Sequence, residues 1–169
     1  GLDLVELMSK KKAIIIDVPK TELGSEAVDL IVNLLTTKID LAMTLRKNQF
    51  PFFVLLDEPH QFLRSAKTWK SAAVESRKWR VGYVWLFHSW EQIPKDLSEI
   101  IKAAGPHYTI YNSSKKTFSD LAEEIKPFGI DDGINLKRFH AINILRTEEG
   151  VARPFIAKMA KPPSMSLEK

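Results

Sequence analysis

Apolar residues along this chain fall into short continuous runs and longer spaced stripes, and the two alternate. Ala13-Ile14-Ile15-Ile16-Asp17-Val18 is β-branched and apolar with Pro19 behind it, and it predicts a buried strand. From Ser25 to Arg46 the pattern opens out. Val28, Ile31, Val32, Leu35, Ile39, Ala42 and Leu45 recur at three- and four-residue spacing, which predicts one core-facing stripe of a long helix with Ser25 as N-cap. Phe52-Phe53-Val54-Leu55-Leu56 is continuous again and predicts a strand, with Pro59 in the first turn after it. A helix is expected over Thr68 to Lys78, and a strand over Val81 to Phe87. A further helix opens at Pro94-Lys95-Asp96, runs through Ala104 and stops at Gly105-Pro106. His107 to Tyr111 predicts a fourth strand, and Lys116 to Lys126 a helix capped by Ser or Thr.

From Phe139 the pattern changes. Phe139 to Leu145 and Val151 to Ala157 flank Thr147-Glu148-Glu149-Gly150, a hairpin signal in which Gly150 suits a left-handed turn position. The tail from Lys161 to Lys169 is expected to be disordered. Strands that are apolar throughout and separated by helices imply an α/β fold whose parallel sheet is covered on both faces. Ligands of such sheets bind at the carboxyl ends of the strands, just after Val18, Leu56, Phe87 and Tyr111.

Composition narrows this little. The 169 residues allow one sizeable core, and no apolar stretch approaches the roughly 18–20 residues that a membrane helix needs. The run after Lys10-Lys11-Lys12 is too short for a signal peptide. There is no cysteine, which removes disulfides and thiolate metal sites. A net charge of +4 permits contact with nucleic acid without arguing for it. The chain opens on Gly1 rather than Met, as expected for a piece of a longer or processed protein.

Candidate chemistry concentrates at Asp57-Glu58, which come directly after the second apolar strand. Nucleotide hydrolysis needs one carboxylate to hold Mg²⁺, usually through water, and another to orient or deprotonate the attacking water. Adjacent acids at a strand end can divide those tasks. Their alternative use is as a solvated strand terminus. The phosphate-cradling loop G-x-x-x-x-G-K-[ST] does not occur in the sequence.

The order of segments is similar to the FtsK–HerA superfamily of pumping ATPases, and within it to the ATPases of conjugation and type IV secretion. The residues that carry the resemblance are Asp17-Val18-Pro19-Lys20-Thr21-Glu22-Leu23-Gly24, Leu56-Asp57-Glu58, Arg77-Lys78-Trp79-Arg80-Val81-Gly82 and Phe87-His88-Ser89. Together they cover about Ile14 to Glu124. The resemblance implies a RecA-like parallel sheet, incomplete here because the central strand bearing the phosphate loop is missing, with residues 1–160 as the C-terminal portion of the ATPase domain. It implies ATP and Mg²⁺ as cofactors, Asp57 as the Mg²⁺-linked acid, Glu58 as the catalytic base, and Arg77 as a finger reaching a neighbouring subunit's nucleotide. Arg80 is a rival for that role, and a solvated basic face is the alternative for both. His88 stands where the family usually has a polar sensor, commonly Gln, and Thr21 where it tends to have Gly. The complete protein would form a ring, expected to be a hexamer, in the cytoplasm at the inner face of the membrane. It would move DNA or secreted substrates, with DNA and secretion-machinery proteins as partners.

Other candidates carry less. His60, His88, His107 and His140 lack metal-ligand spacing, and His60 is expected to point to solvent. No G-x-S-x-G elbow occurs. Trp69, Trp79, Trp85 and Trp90 suit core or interface packing better than base stacking. Without a central strand, two rows of backbone groups would lie unpaired unless another chain, another copy or a rearranged topology satisfies them. The chain alone is therefore expected to bind ATP poorly. The competing readings are a non-catalytic RecA-like module that docks a partner ATPase, and a DNA-binding domain without ATPase activity.

Overall fold

The computed structural model describes residues 3–10, 12–61, 69, 72 and 74–162. The chain divides into two compact units, one formed by Gly1–His88 with Gln92–Ala104 and the other by Ser89–Glu91 with Gly105–Lys169. The fold is mixed α/β, with a parallel two-stranded sheet in the first unit and antiparallel sheets in the second.

The first unit begins with α1 (Leu4–Ser9), absent from the sequence reading, whose N-terminal amides are capped by the Asp3 carboxylate. A single turn, α2 (Lys20–Leu23), precedes α3 (Ser25–Leu45). The cap of α3 is Gly24 at φ +79, not Ser25, which is already the first helical residue. β1 (Phe52–Asp57) and β2 (Val81–Leu86) pair in parallel, with Asp57 opposite Leu86. Leu4, Met8, Ala42, Met43, Val54 and Val81 form the core between α1, α3 and one face of this sheet. Trp69, Ala72, Val74 and Glu75 are helical and Ser76–Trp79 is a 3-10 turn; the rest of the helix expected over Thr68 to Lys78 lies outside the described residues. α4 (Lys95–Ala104) starts and stops where its proline and glycine signals place it, with Gly105 at φ +67.

Two expectations for this unit are corrected, and a third is met only in part. The Ala13–Val18 run forms no strand: residues 12–19 are irregular, and Ile15 is 95% exposed. An apolar run becomes a strand only by hydrogen bonding to an edge, and this one instead borders an apolar groove of about 1180 Å³ beside α3 and β1. The sheet is helix-covered on one face only among the described residues. Phe53, Leu55, Val84 and Leu86 on its other face are exposed. Leu45 is not part of the buried stripe of α3 but 59% exposed, along with Leu30, Leu34 and Leu41.

In the second unit, β3 (Tyr108–Ile110), β4 (His140–Ile144) and β7 (Phe155–Lys158) form an antiparallel sheet in the order β3-β4-β7. The fourth expected strand therefore joins the hairpin rather than a parallel sheet, because its partner β4 arrives antiparallel with Tyr108 opposite Ile144. The hairpin is present as expected. Its tip is β5 (Arg146–Thr147) paired with β6 (Gly150–Val151), and Gly150 is at φ +133. α5 (Lys115–Asp120) is capped by Ser114 Oγ, which accepts the Thr117 amide at 3.0 Å. It ends early: bonds such as Glu124 N–H to the Leu121 carbonyl tighten the next stretch into turns, which still bury Leu121 and Ile125 with Phe118. The short α6 (Ile130–Ile134) comes next, unforeseen because two aspartates and a glycine in five residues show no helical stripe.

Candidate functional site

β1 and β2 run in parallel, so their carboxyl ends open on the same edge, and Asp57, Glu58 and His88 all lie there. The ladder continues one step beyond β1, where the Glu58 amide donates to the Leu86 carbonyl at 3.1 Å. The chain then breaks away. Glu58 has φ +48, a left-handed backbone that costs a residue with a Cβ about 1 kcal/mol or more. Pro59 behind it disfavours the right-handed helical alternative. The 3-10 turn Pro59–Gln61 closes with the Gln61 amide on the Glu58 carbonyl at 3.1 Å.

This turn brings both oxygens of Glu58 under control. His88 Nε2–H donates to Glu58 Oε1 at 2.8 Å, and the Gln61 side-chain amide donates to Oε2. A carboxylate only accepts, so the His88 proton sits on Nε2. The His88 amide donates in turn to Gln92 Oε1 at 3.0 Å, fixing the residue at the end of β2. The hydrogen bond from His88, together with that from Gln61, holds the Glu58 carboxyl below its ordinary pKa, against an opposing desolvation effect. The anion is thus retained as pH falls through the usual carboxylate range, and the contact is lost only when pH falls through the lowered value. Replacing His88 with Ala is expected to move the Glu58 titration midpoint upward in a carbon-detected NMR titration. An unchanged midpoint would show that the imidazole does not support the anion.

Asp57 is exposed at the strand end. Mg²⁺ takes oxygen ligands and keeps several waters, and one or two carboxylates suffice when phosphate oxygens complete its shell. Asp57 beside Glu58 suits that chemistry. Among the described residues no group of three or more His, Asp or Glu is arranged to hold a metal by itself.

Arg77 and Arg80 are not brought to this edge. Both precede β2, in the 3-10 turn and at its left-handed cap (Arg80 φ +55), so they lie at the opposite end of a six-residue strand. A strand of that length spans roughly 17–20 Å, beyond the reach of one side chain. His60, expected in solvent, is half-buried with its Nδ1 inaccessible, and its ring lies 6.3 Å from that of His88. Thr21 is exposed within α2. The tryptophans are used in packing: Trp69 is fully buried edge-on against Trp85, Trp79 borders the first core, and Trp90 packs on the second beside Tyr108.

Gln61 and Gln92 are the residues that sequence reasoning missed. The signal for Gln61 was its place three residues after Glu58 across a proline turn, a spacing at which a side chain can return to the turn's first residue. Gln92 had no comparable signal. Among known proteins, no family model and no curated sequence matches this chain.

Proposed function

We propose that this chain is the C-terminal part of a RecA-like motor ATPase of the FtsK–HerA type, coupling ATP hydrolysis to movement of DNA or secreted substrate. The observation that carries the reading is the bond between Glu58 and His88. Two residues thirty positions apart, each just beyond a parallel strand, meet at the carboxyl edge where α/β sheets bind ligands. There Glu58 is the base that orients the attacking water, and Asp57 the acid that holds Mg²⁺ through water. His88 keeps Glu58 ionised and aimed. The free edge of β2, which pairs only with β1 among the described residues, also supports an incomplete sheet. The phosphate loop comes from a segment outside this sequence.

The test is nucleotide hydrolysis by the protein that joins this chain to a phosphate loop; no turnover there sinks the proposal. The position of Arg77 supports action in a neighbouring subunit's site. Rings mixed from Arg77→Ala and Glu58→Gln subunits, each inactive alone, are expected to regain activity, because some interfaces pair an intact Arg77 with an intact Glu58. Mixed rings as inactive as their components would remove Arg77 from that role. The exposed apolar face at Phe53, Leu55, Val84 and Leu86 favours the second reading, a module that docks a partner ATPase. That reading gains if hydrolysis fails.

A further inference from the structure

The outer face of α3 carries leucine where a solvent-facing helix carries charge. Leu30, Leu34, Leu41 and Leu45 are 70%, 60%, 57% and 59% exposed. At about 100° per residue they fall within an arc of roughly 60°, so they form one stripe rather than scattered exposures. Isolated surface leucines need no explanation; two pairs aligned on one helix face, with Thr37 and Lys38 between them, do.

The spacing of the stripe identifies its occupant. Steps of 4, 7 and 4 residues read the same in either direction about a centre between Thr37 and Lys38. A stripe with that symmetry is complementary to itself in the antiparallel sense, which is the requirement of a two-fold interface. Laid against a second α3, Leu30 meets the partner's Leu45 and Leu34 meets the partner's Leu41. The charges agree. Glu26 at one helix end comes to the partner's opposite end, where Lys47 is exposed just past the helix. The helix dipoles then oppose. A parallel pair would instead set Glu26 against Glu26 and align the two dipoles, while Lys38, beside the centre, comes near its counterpart in either direction and does not discriminate.

We propose that α3 is a self-association surface, pairing antiparallel with α3 of a second copy of this chain through these four leucines. The stripe is about 22 Å long, one helix face, at the low end of specific interfaces, so the pair is weak and reversible. It stands independently of the hydrolytic reading. In sedimentation, the 169-residue chain is expected to show a concentration-dependent dimer that Leu34→Gln/Leu41→Gln weakens by about tenfold or more, with unchanged circular dichroism. Because the chain has no cysteine, orientation can be read directly. A mixture of Leu30→Cys and Leu45→Cys chains joins with a short thiol crosslinker, and Leu30→Cys alone does not. A monomer at the highest soluble concentration, a dimer indifferent to the glutamine variants, or efficient crosslinking of Leu30→Cys to itself would each overturn the proposal. So would covering of the stripe by a different protein in preference to a second copy.

Discussion

Glu58→Gln is expected to leave ATP binding within a few-fold of the parent and to lower turnover by about 10²–10⁴ in the protein that carries both this chain and a phosphate loop. Gln keeps the size of the side chain and can still accept the proton that His88 donates, so binding geometry survives. It cannot take a proton from water. His88→Ala should act through Glu58 and cause a smaller fall, because the carboxylate loses one of its two anchors. His88→Gln supplies a donor at the same strand end and should recover much of that loss. The comparison separates a group that contacts substrate from one that positions the base: full recovery in Gln argues for positioning, and none argues that the imidazole itself is needed. Normal turnover in Glu58→Gln would remove Glu58 from the chemistry altogether.

A large stability effect is expected in the second unit. Phe118 is fully buried, and its ring lies where a Cβ on Gly133 would have to go, at 2.3–2.6 Å. Phe118→Ala should cost about 3–5 kcal/mol, through lost transfer energy plus the cavity left among Tyr108, Ile142 and Ile144. Gly133→Ala tests two opposed effects. Helix propensity favours alanine by about 1 kcal/mol, while the clash with a packed ring costs about 1–3 kcal/mol, and sterics should win because the ring has no free space to enter. Urea unfolding is expected to show destabilisation for Gly133→Ala, relieved when Phe118 is also replaced by Leu. Additive losses in the double variant would show that the two positions are not in contact.

How far the sequence reaches depends on whether a feature is local. α3, β1, β2 and α4 are legible because spacing, continuity and the Pro94 and Gly105 signals lie within each segment. Ala13–Val18 has every local mark of a strand and is none, since a strand exists only by pairing and nothing in six residues encodes the edge they meet. The bond between Glu58 and His88 obeys the same logic. Both residue types and both strand ends are visible, but their meeting depends on Asp57 standing opposite Leu86, a register that no local pattern contains. The separation of Arg77 from Glu58 was deducible from the parallel pairing itself: the turn that enters β2 and the turn that leaves β1 lie at opposite ends of the pair. Ser25 was displaced as cap by Gly24 because Gly24 already takes the non-helical position that a cap requires, one residue earlier.

The unpaired Ile14–Val18 run also has a place in time. Phe52, the first residue of the strand beside its groove, is made 34 residues after Val18, which at about 5–20 residues per second is roughly 2–7 s later. Throughout that interval the β1 residues that line the groove with it have not been synthesised. The rate of synthesis through α3 therefore sets how long the run waits for the strand that completes its groove.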